Sequence, residues 1–203
     1  MLPRNRAQLH ILAALFAVLL LAQIDQPFPG MAWMQHSPTL LLILAAPWLL
    51  RRWPLSTRNV ALIALFFTLH TLGGRYIYSY VPYDDWTRAL FGTGIGEALG
   101  WQRNHYDRLI HFLSGLLLVP PFAEWLRRHR RRPHRQALTG AVGIVIAIGA
   151  GYEIFEWLLT LVMGGNAERY NGQQGDMWDA QKDMALAVAG ALIAAVILGY
   201  RRR

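Results

Sequence analysis

Long apolar runs with arginines gathered at alternate ends constrain this chain more than any other feature. Six runs stand out, over about residues 9–24, 31–50, 59–78, 106–126, 137–163 and 179–200. A helix needs about 20 residues to cross the hydrocarbon core of a bilayer. Only 16% of the 203 residues are charged, against roughly a quarter in soluble domains. The pattern predicts an all-α, polytopic membrane bundle of six transmembrane helices, forming one integral membrane domain over residues 1–203. Span 2 is the weakest, because Pro38 and Pro47 interrupt it.

The arginines orient the bundle. Arg4 and Arg6 precede span 1, and Arg51, Arg52 and Arg58 lie between spans 2 and 3. Arg127, Arg128, Arg130, Arg131, Arg132 and Arg135 lie between spans 4 and 5, and Arg201, Arg202 and Arg203 follow span 6. With six spans, these 14 of the 20 lysines and arginines fall on one side, and the positive-inside rule makes both termini cytoplasmic. Without span 2 the clusters would scatter over both faces. The net charge of +8 does not point to nucleic acid, because the arginines sit at span ends and form no continuous basic face. The absence of cysteine excludes disulfides, thiolate metal sites and a cysteine nucleophile. Span 1 has the basic start of a signal peptide, but residues 21–27 hold no small-x-small cleavage site, so a retained anchor is expected.

The other side carries the polar residues. Between spans 3 and 4, residues from about 80 to 104 are too many for a turn. Their aromatics, including Trp86, Phe91 and Trp101, suit an interfacial or re-entrant segment, and Gly92, Gly94, Gly96 and Gly100 argue against one continuous helix. No internal repeat supports an inverted-repeat transporter. Small residues in span 5 (Gly140, Gly143, Gly149, Gly151) and span 6 (Gly190, Ala191, Ala194) suggest close helix packing.

Ionisable residues inside a span are costly and usually face the bundle interior. Span 3 holds His70. Span 4 opens with Asp107, Arg108 and His111, the aspartate and histidine sharing one face at a spacing of four. Span 5 carries Glu153 and Glu156, three apart, and span 6 is preceded by Asp176 and opens with Asp179, Lys182 and Asp183. Spans 4 and 6 enter from the outer side and span 5 leaves towards it, so these groups are expected together in the outer half. Asp107, His111, Glu153, Glu156, Asp179 and Asp183 are candidate catalytic groups; Arg108, Arg169, Lys182 and His70 are candidate substrate-binding groups. A histidine with carboxylates also suits a divalent metal, with His111, Glu156 and Asp183 as ligands, and zinc, manganese and magnesium all stay open. Structural roles compete. Asp176 suits a helix cap, Arg108 with Asp107 and Lys182 with Asp183 suit interfacial ion pairs, and His70 suits a hydrogen-bonded bundle residue. An ion network joining the acids to His111, Arg108 and Arg169 would need no chemistry at all.

Three stretches carry a resemblance. Asn104-His-Tyr106-Asp107-Arg108-Leu-Ile-His111-Phe112, Tyr152-Glu153-x-x-Glu156-Trp157, and Gly172-x-x-Gly175-Asp176-x-Trp178-Asp179-x-Gln181-Lys182-Asp183-Met184 resemble the YjdF-type family of bacterial inner-membrane proteins. The resemblance implies a multi-pass location in the bacterial inner (cytoplasmic) membrane, and a topology rather than a reaction. A more distant similarity is to VanZ-like membrane proteins. Their Asp-Lys-x-x-His-Phe is met by Asp107, Arg108, His111 and Phe112, their Glu-x-x-Gln by Glu153 and Glu156, and their Asp-x-x-x-Asn by Asp179 and Asp183. The replacements make this site more acidic.

The leading functional expectation is an outer-facing acidic and histidine-bearing site acting on a lipid-linked or cell-envelope substrate, with the bilayer as its solvent. A proton-coupled carrier using Glu153 and Glu156 is the alternative. Span 5 before Gly149 and span 6 after Asp183 are almost wholly apolar, which opposes a through-path. A third reading is a non-catalytic membrane partner or envelope-stress protein whose polar cluster only fixes the bundle.

Overall fold

The structure, a computed structural model, describes residues 5–164 and 173–200. Among these the chain forms eight α-helices: α1 (Arg6–Leu21), α2 (Pro29–Arg52), α3 (Thr57–Arg75), α4 (Tyr83–Phe91), α5 (Ile95–Leu99), α6 (Tyr106–His129), α7 (His134–Met163) and α8 (Asp179–Tyr200). Three are long and apolar enough to cross a membrane: Tyr106–His129, His134–Val162 and Asp179–Gly199. α1 is apolar but has 16 residues. α2 and α3, with 24 and 19 residues, interleave their apolar side chains with polar ones.

Local chemistry sets the helix ends. The Asn5 side chain accepts from the Ala7 N–H and starts α1, Pro29 occupies the first turn of α2, and the Ser56 hydroxyl accepts from the Asn59 N–H at the start of α3. Gly92, at φ 80°, closes α4 in the left-handed conformation that suits glycine. α2 runs unbroken through both prolines. Pro38 has no N–H to give the Met34 carbonyl, and the Ser37 hydroxyl donates to that carbonyl instead, at 2.7 Å. α3 stops at Arg75, short of the expected Tyr78. Ile77 and Tyr78 take positive φ (43° and 58°) and fold the chain back, with the Tyr78 N–H donating to the Gly73 carbonyl at 2.8 Å. Such a conformation is strained for a β-branched residue, and Ile77 is fully buried there.

Two groups of helices result, α1–α3 and α6–α8, joined where α3 packs on α6. α2 and α3 are pinned by polar contacts: His36 Nε2 to the Thr71 carbonyl, Thr39 to Thr71 through their hydroxyls, and His70 Nε2 donating to the Gln35 carbonyl, each at 3.0 Å. The tightest contact is between α6 and α8. A Cβ on Gly115 would stand 2.1 Å from the Ala187 carbonyl oxygen, and one on Gly190 would stand 2.0 Å from that of Phe112. These helices touch backbone to backbone, as small residues permit in membranes. Of the span 5 glycines, Gly140 packs closely on Leu126 (a Cβ there would stand 2.9 Å from Cδ1) and Gly149 meets Ala187 at ordinary contact distance, while Gly143 and Gly151 face open space. Val119, Ala123, Leu138, Ala141, Val145, Ala191 and Ala194 close the core between α6, α7 and α8.

The arginine-bearing ends of α2, α3 and α6 gather at one end of the bundle. There Glu124 accepts from the Ser56 N–H and hydroxyl, Asn59 and Arg128, and His129 Nε2 meets the Pro54 carbonyl. The segment expected over about 80–104 contains α4 and α5, with Leu90, Phe91 and Leu99 exposed. Asp84 clamps the two short helices by accepting from the Gly96 N–H at 2.7 Å.

Candidate functional site

The polar groups collect at the opposite end. Asn104 sets the entrance to α6: its side-chain oxygen accepts from the Tyr106 N–H, and its own N–H and carbonyl exchange hydrogen bonds of 2.9 and 3.0 Å with the Gln174 side chain. This fixes the approach to α8 against the start of α6. The first turns of both helices and Glu153 of α7 then point inwards together. Asp107, His111, Glu153, Asp179 and Asp183 are all buried, at 7%, 9%, 8%, 3% and 2% exposure.

His111 stands at the centre. Its Nε2 lies 3.6 Å from Asp107 Oδ1 and 3.5 Å from Glu153 Oε1. Donor atoms of Asp107, His111 and Asp183 lie within 4.8 Å of one another. Glu156 is not in that group; it is half-buried and hydrogen-bonds the Tyr152 side chain one turn back. Glu153 Oε1 and Asp183 Oδ1 are buried without a hydrogen-bond partner.

A second layer of charge lies above the first. Arg103 Nη1 meets Asp179 Oδ1 at 2.8 Å, and Arg108 Nη2 meets Asp176 Oδ2 at 2.5 Å, with longer cross-contacts between the pairs. Lys182 Nζ reaches the same Asp176 oxygen at 2.6 Å. The Asp176 carboxyl is held down to about 2 by the Lys182 hydrogen bond and then by the Trp178 N–H. Beside it, burial lowers the His105 pKa, with Arg108 and Arg103 adding to the effect. So Arg108 and Lys182 both pair with Asp176, rather than with Asp107 and Asp183 as their adjacency in sequence suggested. Asp107 and Asp183 point past them into the interior. Arg103 was not singled out from the sequence, since nothing in its spacing links it to residues more than 70 positions on. Arg169 lies outside the described residues.

His70 joins a different contact set. Its Nε2 donates to Gln35 and its Nδ1 accepts from the Tyr78 hydroxyl, so both ring nitrogens are engaged. It still borders a cavity of about 560 Å³, which lies between α1–α3 on one side and α6–α7 on the other. His70, Tyr78, Asp107, His111, Ser114 and Tyr152 line its polar end, while Trp53, Leu55 and Trp125 line the far end. Between them the walls are almost wholly apolar.

An all-helical bundle with buried ionisable groups and spans of membrane length defines a membrane protein. Residues 7–203 match the model of the family described as "Predicted membrane protein (DUF2238)", and the chain belongs to that family. It is 36% identical over 166 residues to inner membrane protein YjdF of Escherichia coli (strain K12), covering 81% of this chain and 76% of that protein. No solved structure matches. The likeness to VanZ-like proteins rests on the three motifs alone.

Proposed function

We propose that this is a six-span inner-membrane enzyme, both termini cytoplasmic, that acts on the polar head of a lipid-borne substrate at the outer leaflet. The observation that carries the reading is the cavity. An apolar shaft of about 560 Å³ ending on Asp107 and His111 has the polarity of an amphiphile, tail along the shaft and head at the cluster. In this reading α4 and α5 lie in the outer interface, with Leu90, Phe91 and Leu99 against lipid.

His111 acts as the acid–base group. The Asp107 and Glu153 oxygens within 3.6 Å of Nε2 stabilise its charged form when it takes a proton. Asp179 and Asp176 hold Arg103 and Arg108 beside the cluster, outside the cavity lining, as the nearest guanidinium groups to an anionic head. The apolar far end around Trp53 and Trp125 favours this reading over a carrier, which needs polar groups through to the cytoplasmic side.

The test is native mass spectrometry of lipids that copurify with the protein. Ala64 is buried on the cavity wall, so Ala64→Trp fills the shaft and should strip the bound lipid. Leu158→Trp, on the exposed face of α7, should keep it. Equal lipid retention by both variants would overturn the reading.

A further inference from the structure

We propose that Asp107, His111 and Asp183 form a binding site for one divalent transition-metal ion of the zinc or manganese class, with Glu153 beside His111 at its edge. The inference places a metal in the site proposed above, where His111 Nε2 would serve as a ligand in place of its acid–base role, and it stands without any lipid, since it rests on the protein's own donor atoms.

Three observations converge. The first is distance. The 3.6 and 3.5 Å separations of His111 Nε2 from Asp107 Oδ1 and Glu153 Oε1 are too long for good hydrogen bonds. They match the edge of a tetrahedron around a cation, roughly 3.4 Å for metal–ligand bonds of about 2.1 Å. The Asp183 donor falls within the same 4.8 Å group as Asp107 and His111. The second is satisfaction. Asp183, 2% exposed, and Glu153, 8% exposed, each bury an oxygen with no hydrogen-bond partner. Asp183 is a proposed ligand and Glu153 lies against another, His111, and a buried acceptor without a donor is costly.

The third is charge. Asp107, Glu153 and Asp183 surround one imidazole, while the nearest arginines are engaged with Asp176 and Asp179. Three buried carboxylates around one histidine call for further positive charge, and buried charges in proteins are paired or coordinate metals. One imidazole with carboxylate oxygens is a donor set for zinc or manganese. No thiolate competes for a softer ion, because the chain has no cysteine. The donors come from α6 and α8, with Glu153 of α7 beside them, so the ion would tie these helices together at the cluster. Asp179, one turn before Asp183, positions α8 through its contact with Arg103.

The rival account is that the carboxyls hold protons and no metal. The two accounts separate by metal content and by thermal stability. Protein grown with zinc and manganese should carry about one equivalent of metal per chain by mass spectrometry, as a structural or catalytic site does. Asp183→Asn and His111→Gln should fall below about a tenth of that, while Glu97→Gln on the surface helix α5 should keep it. After chelation, zinc or manganese should raise the Tm of wild type by several degrees and leave Asp183→Asn unmoved. Wild type serves as its own control here, so a variant that folds poorly does not blunt the test. Metal-free wild type that shows no Tm shift with either ion overturns the site, as does full metal retention by Asp183→Asn. Loss of lipid binding with metal intact would sink only the lipid reading.

Discussion

Replacing Gly190 with alanine puts a methyl group where the two helices that carry most of the cluster touch. That Cβ would stand 2.0 Å from the Phe112 carbonyl oxygen, against an ordinary closest approach of about 3.3 Å. Backbone cannot swing aside as a flexible side chain can, so α6 and α8 must part by roughly 1.3 Å. His111 precedes Phe112 directly, and Asp183 lies about two turns from Gly190 on α8. The separation therefore passes straight into the distance between those two groups, well beyond the ~0.5 Å that a functional constellation tolerates. Overpacking of this kind costs about 1–3 kcal/mol. Reversible unfolding of the protein in mixed micelles measures the cost, with Gly143→Ala as the reference because a Cβ there meets nothing within 4 Å. Gly190→Ala should be destabilised while Gly143→Ala is unchanged or slightly stabilised. Equal stability of the two variants would show that the α6–α8 contact is not as close as described.

Two further outcomes follow from the rim. Asp176 is held at about 2 against an ordinary 3.8, so its stabilising contribution is present above about pH 4 and is lost as the pH falls through about 2; Asp176→Asn should flatten the stability profile between these values in pH-dependent unfolding. Arg103, 13% exposed against the buried Asp179, should be costly to remove, with Arg103→Met losing about 3 kcal/mol, the low end because Arg108 stays 3.4 Å from the same carboxylate. Arg88→Met, which breaks the exposed pairs with Asp85 and Glu97, should lose about 0–1 kcal/mol. Similar losses in parallel denaturation curves would contradict the burial described for the Arg103–Asp179 pair.

Much of the arrangement was legible in the residues. The spacing of Asp107 with His111, and of Asp179 with Asp183, places each pair on one helix face, and a helix of any context preserves that. Burial of Glu153 follows from the cost of a carboxylate facing lipid. What could not be read is what depends on contact between elements distant in the chain. Asp176 reads as a cap by its position, yet it collects Arg108 and Lys182 because the turn before α8 folds over the start of α6. Glu156 and Glu153 are equivalent by spacing, and only the rotation of α7 against α6 brings Glu153 rather than Glu156 to His111. The prolines of α2 read as interruptions because the Ser37 hydroxyl that satisfies the freed carbonyl is a local detail that hydropathy does not weigh. The glycines of α7 outnumber those at the α6–α8 contact, but composition does not say which face a neighbour covers.

Which side of the membrane the cluster opens to decides whether the site is outer-facing, and the chain's lack of cysteine makes that directly measurable. Single cysteines at Leu99, exposed on α5, and at Arg132, exposed beside the arginine-rich end of α6, can be labelled with a membrane-impermeant maleimide. The account predicts that Leu99→Cys is labelled in intact cells and that Arg132→Cys is labelled only after the membrane is opened. The reverse pattern, or labelling of both from outside, would contradict an outer-facing site.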